Sequence, residues 1–96
     1  LACCDAATIA AEDLVASERR ARERVGELEL VSWNPAHQWY YYPEMARSEA
    51  LLIKTFDSAR DGRATRSIHT AFLNPLAPPD APARESIESR LLVFFH

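Results

Sequence analysis

Apolar and polar residues alternate in two different ways along this chain, and the change falls near Gly26. Before it, Ala11 to Arg24 ("AEDLVASERRARER") has acids early, arginines late and a glycine just beyond. That charge order suits a helix dipole and the glycine suits a helix stop. The segment therefore predicts a short helix, although its apolar face holds only Leu14, Val15, Ala21 and Val25. After Gly26 the pattern is that of strands. Glu27 to Trp33 ("ELELVSW") and Gln38 to Pro43 ("QWYYYP") predict a hairpin across "NPAH". Glu49 to Ser58 ("EALLIKTFDS") predicts a third strand, closed by the turn signal Asp61-Gly62. Arg66 to Phe72 ("RSIHTAF") predicts a fourth, and Arg84 to Phe95 ("RESIESRLLVFF") the fifth and strongest. Between those two, "NPLAPPDAPA" cannot form a regular element, because its prolines remove donors and hold the backbone extended. The expected class is mainly β, a sandwich or part of a barrel, with a short helical or irregular N-terminal segment.

Composition narrows this picture modestly. At 96 residues the expectation is one domain, 1–96, with 1–26 as lead-in and 27–96 as β-strands. With 48% hydrophobic and 26% charged residues, the chain is globular in type rather than disordered. A net charge of -3 gives no footprint for nucleic acid. No apolar run is long enough to span a membrane, and the start lacks the basic region of a signal peptide. Cys3 and Cys4 are adjacent, with no distant partner. They are expected to be reduced, mostly buried residues of an intracellular, cytoplasmic protein. The first residue is Leu1, which raises the expectation of missing upstream sequence.

Chemistry concentrates in the last two predicted strands. Side chains alternate across a strand, so Arg84, Ser86, Glu88 and Arg90 would share one face. A guanidinium fork beside a hydroxyl makes a good carboxylate receptor. The same residues would also make an ordinary solvated ion-pair ladder. His69, between Ile68 and Thr70, could ligate a metal or simply pack or face solvent. His37 lies in a proline turn, and His96 is terminal. "WYYY" (Trp39 to Tyr42) could stack a planar ligand, or be core on one face and partly exposed on the other. There is no G-x-S-x-G, P-loop or dinucleotide fingerprint, and Gly26 and Gly62 stand too far apart for a phosphate cradle.

Several stretches, in order, carry a family resemblance: "LACCDA", "WYYYPEM", "EALLIKTFDS", "HTAF" with its "NP", and "PPDAPARESIESRLLVFF". Over nearly its whole length the chain resembles a family of fungal and bacterial secondary-metabolism hydroxylases and desaturases. This family is related to the AsaB-type enzymes and to the cephamycin 7-alpha-methoxylase partner protein. The resemblance implies a double-stranded β-helix (jelly-roll) and non-haem Fe(II)/2-oxoglutarate dioxygenase chemistry. Two histidines and a carboxylate would hold iron on one face. It implies that His69 is the distal histidine, and that Arg84 and Ser86 receive 2-oxoglutarate. A small-molecule substrate is implied for the full-length parent.

Departures from the family pattern shape the expectation further. The chain has no H-x-D or H-x-E. Phe56 stands where the family usually has tyrosine, and Leu73 and Asn74 stand where it often has acids. The chain is thus expected to be the C-terminal portion of such a fold, a partial β-helix inactive alone. The alternative is a non-catalytic β module that forms a homo- or hetero-dimer through exposed strand edges. A truncated gene product without an independent role is the third possibility.

Overall fold

Ala2–Cys4 (β1) runs between two very short strands, Trp39–Tyr40 (β4) and His69–Thr70 (β5), in a computed structural model that describes residues 1–96. Both neighbours are antiparallel to it: Cys3 faces Tyr40 on one side and His69 on the other. Two further bonds extend the sheet, from Cys4 N to Ile68 O and from Asp5 N to Gln38 O. Ala2 and Cys4 are buried, and with Asp13 they are the only buried residues. The core is thus a patch under β1. Cys3 and Cys4 are both free thiols.

The second sheet is a two-stranded hairpin, Leu14–Ala21 (β2) and Arg24–Val31 (β3). Its register pairs Leu14 with Val31 and Ala21 with Arg24, so the turn is Arg22-Glu23. Val15, opposite Leu30, and Leu28, opposite Ser17, lie on one face. The other face carries Glu18 opposite Glu27, flanked by Ala16 opposite Glu29. Like charges opposite one another cost stability. Cations offset this: Arg20 binds Glu18 at 2.9 Å, and Arg66 reaches across to Glu29.

Several expectations are corrected by this architecture. Ala11 to Arg24 is not a helix. A single 3-10 turn, Ala11–Asp13, leads directly into β2. The sparse apolar positions cannot make a helical stripe, but they do alternate well enough to pair with β3. The hairpin expected across "NPAH" does not form, because the flanking strands belong to different sheets. "NPAH" instead closes a turn on Asn34, whose side chain accepts from Ala36 N at 2.9 Å and whose carbonyl accepts from His37 N at 3.0 Å. Glu49 to Ser58 forms no strand. Its backbone meets Ser67 at Lys54 alone, where Lys54 O accepts from Ser67 N at 2.7 Å and Lys54 N donates to Ser67 Oγ at 3.1 Å. The expected Arg66 to Phe72 strand shrinks to His69–Thr70. Arg84 to Phe95 carries no strand and no backbone hydrogen bond within the chain. Strand propensity alone does not order a segment that pairs with no neighbour.

The expected partial double-stranded β-helix is therefore not what forms. The fold is mainly β, with two small sheets, and neither closes or curls into a barrel. The total exposed surface is 9547 Å². A typical folded monomer of this mass exposes about 5,500 Å². The proline-rich loop is irregular, as expected, and turns on Asn74 and Pro78 through bonds from Ala77 N and Ala81 N.

Candidate functional site

His69 sits on β5, at the edge of the three-stranded sheet. Its Nδ1 lies 2.8 Å from the carbonyl oxygen of Ser67. A carbonyl can only accept, so Nδ1 donates, and in the neutral ring that tautomer leaves the lone pair on Nε2. The residue is exposed. The ring shares a sheet face with Cys3 and Tyr40, as the register requires. The neighbouring Thr70 lines an apolar pocket of about 320 Å³ with Ala2, Trp39, Tyr40, Tyr41 and Phe72. The Tyr41 and Phe72 rings lie 5.0 Å apart, tilted by 56°. None of the "WYYY" residues is buried: all are at least 40% exposed. The expectation that one face of this cluster is core is not met within the chain.

Arg84 and Ser86 lie in the exposed C-terminal segment and make no hydrogen bond or ion pair. The local ladder is reduced to one exposed pair, Arg90 to Glu88 at 3.7 Å. His69 is not joined to Arg84 or Ser86 by any such bond. No group of three or more histidine, cysteine or acidic side chains could hold a metal ion. The chain's own residues thus fit iron at one ligand, His69, and do not form the facial set of two histidines and a carboxylate.

A second constellation was not legible in the sequence. His37 Nε2 lies 2.9 Å from Asp13 Oδ2, and the two side chains are 2% and 8% exposed. Asp13 also accepts from Asn34 Nδ2 at 3.2 Å and from Ala10 N at 3.0 Å. Ser32 N donates to its carbonyl at 2.7 Å. The His37 hydrogen bond, then those from Ala10 and Asn34, hold the Asp13 carboxyl below the usual carboxylate range. His37 meets Trp39 edge-on at 6.4 Å. The pair therefore ties the start of β2 to the turn that delivers the aromatic cluster to β1. The 24-residue separation hid it. The only local signal was the Asn-Pro turn before His37.

No helix is long and apolar enough to cross a membrane. A family model described as "Oxidoreductase/YMDC permease-like domain" matches residues 1–94. Among curated relatives, the hydroxylase/desaturase asaB of Aspergillus flavus is 52% identical over 64 residues, 66% of this chain and 28% of its own length. The Fe(II)/2-oxoglutarate-dependent dioxygenase nvfI of Aspergillus novofumigatus is 37% identical over 99 residues, 98% of this chain and 34% of its own. The alpha-ketoglutarate-dependent dioxygenase phiK of a fungal species is 39% identical over 80 residues, covering 82% and 26%. The chain spans about a third or less of the length of these relatives. No solved structure matches. The chain is homologous to fungal hydroxylase/desaturases and Fe(II)/2-oxoglutarate dioxygenases, and it belongs to the oxidoreductase/YMDC permease-like domain family.

Proposed function

We propose that residues 1–96 act as one domain, the C-terminal portion of a non-haem Fe(II)/2-oxoglutarate-dependent hydroxylase or desaturase of secondary metabolism. In this proposal His69 gives one iron ligand, and Arg84 with Ser86 receives the far carboxylate of 2-oxoglutarate. The carrying observation is the bond from His69 Nδ1 to Ser67 O, which leaves Nε2 free on an exposed edge. Iron with 2-oxoglutarate and dioxygen supplies the oxidation of an unactivated carbon; the protein's part is to bind and orient. The aromatic pocket beside Thr70 offers an apolar wall for a small-molecule substrate. Kinship with the cephamycin methoxylase partner protein belongs to the same proposal. So does a cytoplasmic location, which the free thiols of Cys3 and Cys4 suit.

The cosubstrate assignment is tested by calorimetric titration of the chain with 2-oxoglutarate. Binding, if it requires the guanidinium fork, weakens at least tenfold in Arg84→Ala and less in Ser86→Ala. Binding that survives Arg84→Ala unchanged would sink the assignment.

One observation favours a second function, a non-catalytic β module. The segment from Arg84 onward offers backbone donors and acceptors on both edges, and Ile87, Leu91, Val93 and Phe95 are 62–100% exposed. Such a segment is a template for pairing with another chain.

A further inference from the structure

The unpaired C-terminal segment has a sequence that fits its own copy in a register about Ser89. In a two-fold antiparallel pair, neighbouring residue pairs alternate between hydrogen-bonded and non-hydrogen-bonded types. A two-fold axis therefore requires one residue to face itself. Centring on Glu88 puts that carboxylate opposite its own copy. Centring on Arg90 opposes two guanidinium groups, and centring on Ile87 sets Arg84 against Arg90. Centring on Glu85 or Ser86 draws Pro79 or Pro82 into the ladder and leaves much of "LLVFF" without a partner.

Ser89 meets none of these objections. With Ser89 facing itself, Glu88 of each copy faces Arg90 of the other, so two opposite-charge pairs flank the axis. Ile87 faces Leu91 on the apolar side of the ribbon. Arg84 faces Phe94 on the other side, where a guanidinium can lie against a ring. Pro82 then falls at the ribbon's end, opposite His96, where its missing donor costs little. The segment's own apolar side chains are open to a partner: Ile87, Leu91, Leu92, Val93, Phe94 and Phe95 are 62–100% exposed.

We propose that residues Ala83 to Phe95 pair antiparallel with the same residues of a second copy, in register about Ser89, forming a two-fold homodimer. This rests on the β-module function and does not need the cosubstrate assignment. Glu88 and Arg90 are 85% and 84% exposed, so reversing their charges leaves the rest of the fold intact.

Sedimentation equilibrium of the full chain tests the pairing. The wild type is expected to be dimeric. Glu88→Arg and Arg90→Glu each place two like-charge pairs at the axis and raise the dimer dissociation constant at least tenfold. The double variant E88R/R90E regains the wild-type constant, and an equimolar mixture of the two single variants forms a heterodimer. Ser89→Cys cross-links into a dimer under mild oxidation, above the background that Cys3 and Cys4 give in the wild type. A monomeric wild type overturns the homodimer and its register, and leaves the β-module function only a different chain as partner. A dimer indifferent to these charge changes overturns the register alone, and points to a different face or to pairing within one chain.

Discussion

The most constrained side chains in this molecule are Asp13 and His37, and they have no part in the chemistry expected of its relatives. Asp13 is a buried carboxylate held by three donors, and His37 is its most enclosed partner. Its acidity sets a pH dependence with a definite sign. The Asp13 carboxyl is shifted below its unfolded value of about 3.9. Its contribution to stability is thus fully present above that value. It is lost as pH falls through the lower folded value. Urea melts between pH 5 and pH 2 are expected to show stability falling below about pH 4. Asp13→Asn should lower stability at pH 7 and flatten that decline; an unchanged pH slope would contradict the assigned role. For His69, long-range proton–nitrogen NMR of the neutral ring is expected to show the proton on Nδ1 and not on Nε2. A protonated Nε2 in the neutral ring would remove the basis for its ligand role. His69 was singled out through its place in "HTAF", and its ligand role stands as a proposal. The Asp13–His37 pair was not, since its partners meet only after the chain has folded.

Among the elements, local signals succeeded where they specified a turn and failed where pairing decided the outcome. Asp61-Gly62 reads as a turn, and Gly62 does adopt a left-handed φ of 88° with nothing nearby to obstruct a side chain. Asp61 closes that turn by accepting from Arg63 Nε at 2.7 Å. Gly62→Ala is expected to cost about 1 kcal/mol, all of it backbone strain. A thermal midpoint equal to the wild type would contradict this. The β2–β3 hairpin shows the opposite lesson. Its Arg22-Glu23 turn carries none of the Asn-Gly chemistry that announces a hairpin, and neither residue has a positive φ. Its charge order imitates a helix, while its alternation pairs Val15 with Leu30. Glu27→Lys, set opposite Glu18, should stabilise the hairpin by about 0.5 kcal/mol in a melt. No gain would mean that the Glu18–Glu27 repulsion is already screened. The strand-like sequences from Glu49 and from Arg84 stayed unpaired although β2, β3, β4 and β5 each keep an open edge, so strand propensity alone did not decide the pairing.

At the scale of the molecule, surface area is the governing quantity. Only Ala2, Cys4 and Asp13 are buried, and 9547 Å² faces outward. Apolar burial is the main term that offsets chain entropy. A chain that buries so little draws little of that term from its own packing. The same shortage bears on the residues proposed for iron and 2-oxoglutarate. His69 sits on a sheet edge, Arg84 and Ser86 lie on a segment that pairs with nothing, and the chain holds no second and third iron ligand beside them. The measurement that bears most directly on this account is anaerobic titration of the purified chain with Fe(II) and 2-oxoglutarate, following the metal-to-ligand charge-transfer absorption. The account predicts no stoichiometric band, because one imidazole and one carboxylate receptor do not make an iron site. A saturable one-to-one band from the chain alone would contradict it.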